Sequence, residues 1–169
     1  MTEKPDAIAL LKADHRKVEG LFETFKKASG QKRKREIAEQ ICMELAIHTK
    51  IEEDIFYPAC KGKVEDDLLD ESYVEHDAAK VLVAEIEEGS PEEAFYDAKV
   101  QVLSELIEHH VEEEERRVEG LFAQARKADL DMDALGDQLT AEKQRLMAVY
   151  KQDGVPTPET PTLRGTELR

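Results

Sequence analysis

Residues 48–58 read HTKIEEDIFYP, and residues 109–115 read HHVEEEE. Each stretch places a glutamate four residues after a histidine: His48 and Glu52, then His110 and Glu114. In an α-helix, residues i and i+4 lie on the same face, so each pair directs an imidazole and a carboxylate to one side. One such pair is common by chance in a chain rich in glutamate. Its meaning therefore depends on the helices around it.

The apolar residues recur with helical periodicity along most of the chain, and β-type alternation is nearly absent. The periodicity predicts helices over about residues 5–28, 31–59, 66–88, 91–127 and 132–150, the last interrupted by Gly136. The residues from Ser90 to Glu93 form a capping-box signature that predicts the start of the fourth helix. Because the connections are short, we expect an all-α fold: an antiparallel up-down-up-down four-helix bundle with an additional C-terminal helix and a disordered tail.

Each of the four long helices has a histidine in its inward-facing stripe: His15, His48, His76 and His110. At 1.5 Å per residue, the first three reach nearly the same level when counted from the connecting glycines. His76 precedes Gly89 by 13 residues, whereas His110 follows it by 21. Either the fourth helix overhangs the end of the bundle by about two turns or the third connection climbs along the bundle.

The composition bounds the partners and the compartment. The 24 Lys and Arg residues against 39 Asp and Glu residues give a net charge of −15. Such a chain repels phosphate backbones and anionic lipid, so we expect neither nucleic acid nor a membrane as partner. There is no apolar run of transmembrane length and no signal peptide at the N-terminus. Cys42 and Cys60 are too far apart on one predicted helix to bond, which favours free thiols in the cytoplasm.

The inward-facing polar residues predict a metal site. Four imidazoles and two carboxylates in one buried layer would be costly without a cation. Nitrogen and oxygen donors without thiolate suit iron, zinc or manganese, and two bridging carboxylates suit a pair of metals. The candidate ligands are His15, His48, Glu52, His76, His110 and Glu114.

Two neighbouring residues compete with these candidates. His109 and Glu113 have the same spacing as His110 and Glu114. Projected at 100° per residue, His110 shares the stripe of the apolar residues and His109 lies about 100° to one side. We therefore favour His110, with His109 as a flanking residue, and Glu52 over Glu53 by the same projection.

These motifs resemble the hemerythrin-like (HHE cation-binding) domain family. The matching segments are LLKADHRKVEGLF around His15, HTKIEEDIFYP from His48, YVEHDAAK around His76 and HHVEEEE from His109, within about residues 5–127. The resemblance implies a non-haem di-iron centre, bridged by carboxylates and an oxo or hydroxo group, with zinc or manganese as the alternatives. It makes the histidines at 15, 48, 76 and 110 terminal ligands and the glutamates at 52 and 114 bridges.

One departure from the pattern concerns the third helix. Oxygen-carrying hemerythrins have a second histidine four residues from the first on this helix, but Ser72 and Lys80 stand at those positions here. One metal would then lack a protein ligand, which water, hydroxide, a nearby acid or Tyr73 could supply. Lys80 is either a side chain that snorkels to solvent or a cation near the site.

The sequence is compatible with several functions. The chain divides into a metal-binding bundle (1–130), an accessory C-terminal helix (131–151) and an extended or disordered tail (152–169). The site would bind or react with a small diatomic or peroxidic ligand such as O2, NO or peroxide. Alternatives are a peroxide-consuming, catalase-like oxidoreductase, an iron storage or sensing protein, and a purely structural metal bundle. The missing histidine argues against reversible O2 carriage, and oligomeric state is left open.

Overall fold

The computed structural model describes residues 3–165, and within them the chain is helical with no strand. The helices are α1 (Ala7–Lys27), α2 (Gln31–Ile51), α3 (Asp66–Glu88), α4 (Tyr96–Glu115), α5 (Leu121–Lys127) and α6 (Met132–Asp153). Helix α2 continues without a break through a π-helical segment, Glu52–Phe56, into a last α-helical turn, Tyr57–Cys60. The predicted all-helical bundle is confirmed. In the part of the chain described, no helix combines the length and apolarity that crossing a membrane requires.

Local signals explain where several helices begin. The Asp6 carboxylate accepts a hydrogen bond from the Ala9 backbone N–H at 2.8 Å and so caps α1. Asp131 caps α6 in the same way through the Ala134 N–H at 2.9 Å. Gly30, between α1 and α2, has a φ of 85°, a left-handed conformation that glycine adopts without steric cost.

Helices α1 to α4 pack in a ring. Helix α1 contacts α2 and α4, and α3 contacts α2 and α4, as expected of the up-down-up-down order. Helix α6 lies against α1 and α2. Two separate apolar clusters form the core, one containing Leu11, Phe56 and Phe122 and the other Phe22, Ile41 and Leu103. The predicted histidines lie where these two clusters meet, because side chains of both contact them.

The start of α4 differs from the sequence prediction. Residues 90–95 form turns, and the helix begins at Tyr96. The Glu93 N–H donates to the Ser90 carbonyl at 2.9 Å, which closes a turn in place of the capping box. The longer third connection therefore explains the apparent mismatch in level, because His110 follows the true helix start by only 14 residues.

The end of α4 also differs. The helix stops at Glu115 rather than running to about residue 127, and residues 116–120 form a turn before α5. Val118, which continued helix would place on the same side as Glu114 and Leu121, is 66% exposed. A Cβ at Gly120 would lie 2.4 Å from the Arg116 carbonyl oxygen, so the turn requires a glycine there. The break places Leu121, at the start of α5, in the core.

The C-terminal region consists of α6 and the segment that follows it. Gly136 does not interrupt α6, which is continuous through it. A Cβ at this position would lie 2.6 Å from the Pro5 carbonyl oxygen, so glycine permits close packing against the start of α1. After α6 the chain is extended from Gly154 and then forms a 3-10 turn, Pro161–Arg164, against α3. The predicted tail continues through residues 166–169, which lie outside the described part.

Candidate metal centre

The six predicted ligands meet in one buried layer between the helices. Helices α1, α3 and α4 supply histidines, α2 supplies a histidine with a glutamate in its π-helical segment, and α4 adds the second glutamate. None is more than 6% exposed: His15, His48, Glu52, His76, His110 and Glu114. Inward stripes on four helices therefore converge as the periodicity predicts.

The histidines form two pairs, and each pair faces one oxygen of each glutamate. In the first pair, the Nε2 atoms of His15 and His48 lie 3.2 Å apart. Glu52 Oε1 lies 3.2 Å from His48 Nε2, and Glu114 Oε2 lies 3.3 Å from His15 Nε2. These four atoms belong to a group of potential metal ligands within 4.8 Å of one another.

The second pair repeats the arrangement on the other side of the same carboxylates. The Nε2 atoms of His76 and His110 lie 3.1 Å apart. Glu52 Oε2 lies 3.1 Å from His76 Nε2, and Glu114 Oε1 lies 3.4 Å from His110 Nε2. Each carboxylate therefore spans the two pairs, which is the geometry of a bridging ligand.

Two oxygens of this layer lack hydrogen bonds. Glu52 Oε1 and Glu114 Oε2 are buried and have no hydrogen-bond partner in the part of the chain described. Both face the first histidine pair. A buried carboxylate oxygen without a donor is costly, and a cation at this point would satisfy it. The residues present therefore fit a pair of bound metal ions.

The other ring nitrogen of every histidine contacts a carboxylate outside the layer. The Nδ1 contacts are His15 to Glu115 at 2.8 Å, His48 to Asp14 at 3.3 Å, His76 to Glu53 at 3.0 Å and His110 to Glu75 at 2.6 Å. A carboxylate at Nδ1 fixes the ring orientation and the tautomer, and it is the usual companion of a metal-ligating histidine. All four rings thus present Nε2 to the centre.

A basic group stands behind each of these outer carboxylates. The pairs are Arg16 with Glu115, Lys143 with Asp14, Lys80 with Glu53 and His109 with Glu75. Lys80 is therefore a cation close to the site, one carboxylate removed from His76. Lys143 extends from α6 to this shell, so the accessory helix contributes to the surroundings of the centre.

The structure separates the competing neighbours. His109 is 57% exposed on the side chain and lies outside the layer, whereas His110 is inside it. Glu53 contacts the outer nitrogen of His76, and Glu52 occupies the centre. Glu44, one turn before His48 on α2, pairs with Lys17 rather than with an imidazole.

Tyr57 is a member of the centre that sequence reasoning missed. Its hydroxyl lies 2.6 Å from Glu114 Oε1, 3.0 Å from Glu52 Oε2 and 3.1 Å from His76 Nε2. In a regular α-helix, five residues place Tyr57 about 140° away from Glu52. The π-helical turn, closed by the Tyr57 N–H on the Glu52 carbonyl, brings both to one face.

Tyr73, one of the four groups that the sequence suggests for the missing ligand, lies one α3 turn before His76. Its ring instead packs edge-on against the Tyr57 ring, with centroids 5.1 Å apart. Tyr57 occupies the place expected for it, beside the second histidine pair. The signal that could have revealed this was the proline at 58, next to a π turn that single-sequence periodicity does not resolve.

Electrostatics tie the layer together when no metal is present. Burial disfavours the imidazolium of His48, but the Glu52 charge and the hydrogen bond to Asp14 raise its pKa to about 10. Burial and the Glu52 charge disfavour ionised Glu114, but His110 and His15 lower its pKa to about 2. Burial and both glutamates raise the pKa of Tyr57 well above its usual range, so it remains a donor. In the metal-free protein, protons on the imidazoles therefore balance the carboxylates.

A small cavity adjoins the four histidines. Its volume is about 10 Å³, and its apolar wall is formed by Val18, Leu45, Ile107 and Val111. This volume corresponds to a single water-sized sphere. Tyr57 is not among the lining residues. The centre therefore has a hydroxyl on one side and a minute, mostly apolar space on another.

Comparisons with known proteins give two relatives of different kinds. A DNA nickase from Nostoc sp. strain PCC 7120 is 28% identical over 106 residues, which are 63% of this chain and 30% of that protein. The chain thus matches less than a third of that relative's length. The crystal structure of a hemerythrin HHE cation-binding domain-containing protein from Mycobacterium kansasii superposes with a TM-score of 0.74. It is 22% identical, with 89% of this chain and 94% of that chain covered, and it shows the fold.

The family model for the hemerythrin HHE cation binding domain matches residues 6–122. This range begins at the cap of α1 and ends in α5, so it contains the whole buried layer with both glutamates. The chain belongs to the hemerythrin HHE cation-binding domain family.

Proposed function

We propose that the chain is a non-haem di-iron protein that binds O2, NO or peroxide, or reacts with it, at a carboxylate-bridged metal pair. The supporting observation is the division of Glu52 and Glu114 between the two histidine pairs, with the first-pair oxygens of both left without a hydrogen bond. The first half offers two imidazole nitrogens and two carboxylate oxygens that lie within 4.8 Å of one another. The second half offers two imidazole nitrogens and one Glu52 oxygen at such distances, and Glu114 Oε1 lies 3.4 Å from His110 Nε2. Such a shared donor set suits two ions.

The donor atoms support iron ahead of metals that prefer sulfur ligands. Both cysteines are buried and unpaired. Burial raises the pKa of Cys60 to about 12, so this residue remains a thiol rather than a thiolate ligand. Imidazole with carboxylate, and no thiolate, suits iron, with manganese and zinc as the competing loads.

The cavity supports a small ligand. A space of about 10 Å³ is the smallest that holds one water molecule, and it excludes anything the size of an organic substrate. When bound, the iron pair would supply the electrons for chemistry with such a ligand. The chain's own part is to exclude bulk water with Val18 and Ile107 and to hold each Nε2 toward the centre through the outer carboxylates. A peroxide-consuming enzyme and an iron storage or sensing protein use the same features and are outcomes of the test.

The setting we propose is the cytoplasm, with no nucleic-acid or membrane partner. Two unpaired cysteines fit a reducing compartment. The net charge of −15 disfavours contact with phosphate backbones. We therefore do not propose DNA cleavage, the activity in the name of the Nostoc relative, for this chain.

Anaerobic reconstitution with Fe(II) tests the proposal. We expect two iron ions per chain by elemental analysis, followed by a change in the visible spectrum on exposure to O2, NO or H2O2. A persistent spectrum with O2 or NO supports binding, and sustained gas evolution from H2O2 supports the peroxide-consuming alternative. One ion per chain, or tightly held zinc that iron does not replace, would remove the di-iron assignment. No spectral response to any of the three would leave a structural metal bundle.

A further inference from the structure

The segment after α6 is tied to the candidate metal centre by a chain of hydrogen bonds. The Thr162 backbone N–H and hydroxyl both donate to Asp77 Oδ2, at 2.9 and 2.6 Å. The other Asp77 oxygen accepts from Lys80 Nζ at 3.1 Å. Lys80 also donates to both Glu53 oxygens, at 2.7 and 2.9 Å, and Glu53 contacts His76 Nδ1. Four contacts thus link the tail to one histidine ring.

Burial makes this link more than a surface contact. Asp77 is 1% exposed, and the side chains of Lys80 and Glu53 are 14% and 19% exposed. A buried carboxylate is costly unless hydrogen bonds satisfy both oxygens. Thr162 supplies two donors to one of the Asp77 oxygens, so detachment of the segment removes both, and loss of the hydroxyl alone leaves only the backbone N–H.

The segment contacts the bundle at this point and through Val155, which packs against the first apolar cluster. Between α6 and the 3-10 turn, residues 155–159 form the roof of a cavity of about 380 Å³ over α2 and α3. Glu53 and Lys80 are among the residues that line the cavity below. The roof is therefore not packed on the helices along its length. Its attachment at Asp77 determines whether the Lys80–Glu53 pair is covered.

The other three histidines have no such dependence. The basic groups behind their outer carboxylates are Arg16 on α1, Lys143 on α6 and His109 on α4. All three lie on long α-helices. Within residues 3–165, only the outer contact of His76 leads to a segment outside the α-helices.

We propose that residues 154–165 form a latch that positions His76, with Thr162, Asp77 and Lys80 as positioning residues. When the latch is attached, Asp77 holds Lys80 against Glu53, and Glu53 holds the His76 ring with Nε2 toward the centre. When it detaches, Asp77 loses two hydrogen bonds and Lys80 is free to leave Glu53. The inference rests on the proposed metal pair only for its effect on metal retention, and its structural part stands in the metal-free protein.

Full-length Thr162→Val is the test variant, with two matched controls. Thr162→Ser keeps the hydroxyl, and Thr160→Val changes a threonine of the same tail whose side chain makes no capping hydrogen bond. In metal-free, ¹⁵N-labelled protein, we expect Thr162→Val to shift the ring resonances of His76 and leave those of His15 unchanged. In iron-loaded protein, we expect one of the two ions to pass to a chelator about tenfold faster, at the lower end of outer-ligand effects. Both controls should behave as the wild type does.

The two measurements fail separately. If the wild type binds no iron pair, the proposed function falls, while the His76 resonances still test the latch. Equal shifts at His15 and His76 would indicate a general loosening of the bundle and overturn the inference. The same holds if Thr162→Val matches Thr160→Val in the His76 resonances, or if both ions leave faster together.

Discussion

The two histidine pairs share the same two carboxylates, yet their surroundings differ. On the His15–His48 side, the carboxylate oxygens receive no hydrogen bond, and the Phe122 ring stacks on His15 with centroids 5.8 Å apart. On the His76–His110 side, the Tyr57 hydroxyl contacts both carboxylates. The two histidine pairs offer similar donor atoms, but the side chains around those atoms differ. The difference shows that only the His76–His110 side has a phenol hydroxyl from α2 against its carboxylate oxygens.

Removing the metal should produce the largest effect. Binding free energy adds to folding free energy, and at a ligand concentration 1,000 times Kd one site contributes about 4 kcal/mol. For a chain of this size that corresponds to about 10 °C in Tm. We expect chelation at pH 8 to lower the Tm by at least this amount, measured by calorimetry. Equal melting of the metal-free and loaded proteins would contradict a metal that joins four helices.

The stability of the metal-free protein should change with pH in a defined direction. Without metal, the raised pKa of His48 stabilises the fold fully below about pH 6.5, and this contribution is lost as the pH rises toward about 10. The lowered pKa of Glu114 contributes above about pH 4.5 and is lost as the pH falls toward about 2. The metal-free protein should therefore be most stable near pH 5–6. Because metal needs neutral imidazoles, the gap in Tm between loaded and metal-free protein should widen from pH 5.5 to pH 8. A constant gap would argue against imidazole ligands.

Removing a shared carboxylate should affect both pairs at once. Glu52→Gln keeps the shape of the side chain but replaces an oxygen and its charge, so we expect nearly all iron to be lost. Glu44→Gln, also on α2 but paired with Lys17, should keep two ions per chain. Elemental analysis of both variants after identical reconstitution measures the effect. Loss of only one ion from Glu52→Gln would mean that this glutamate serves one pair and does not bridge.

Removing a histidine should affect one pair only. We expect His110→Ala to lose about one of two ions per chain, and His15→Ala to lose the other. His109→Ala should retain both, because His109 lies outside the layer and reaches it only through Glu75. Iron content together with the visible spectrum reports the result. The reverse pattern at 109 and 110 would mean that α4 is rotated by about one residue.

The predictable part of this molecule is the part with regular periodicity. His110 shares a helical stripe with Leu103 and Ile107, so its inward orientation follows from 3.6-residue spacing, and all three are buried. The same arithmetic excludes His109. Local pattern suffices here because the apolar stripe and the ligands lie on one continuous helix face.

The remainder depends on departures from that periodicity which tertiary contacts determine. The π turn that brings Tyr57 to the centre changes the residue count by one, and 3.6-residue periodicity does not record this. The turn at 116–120 occurs where the periodicity predicts more helix, and packing of Leu121 in the core accompanies it. The hydrogen bond between Thr162 and Asp77 joins residues 85 positions apart. Composition alone predicts only that the segment around Thr162 is a proline-rich tail.

Tyr57→Phe should give the smallest effect and sharpen the comparison most. The substitution removes one hydroxyl and keeps the ring, which stacks on His76 with centroids 5.3 Å apart, so we expect the fold and both ions to be retained. Glu52 Oε2 and Glu114 Oε1 then lose a donor on the His76–His110 side alone, and the two pairs become more alike. The ion on that side should pass to a chelator about 10- to 100-fold faster, the range for outer ligands, while the other is unchanged. Tyr73→Phe is the matched control. The Tyr73 ring contacts Tyr57, but the hydroxyl that contacts the two glutamates belongs to Tyr57 and not to Tyr73. Stopped-flow release that is equally accelerated for both ions would show that Tyr57 supports the bridges themselves, and no acceleration would show that the inequality of the two halves has another source.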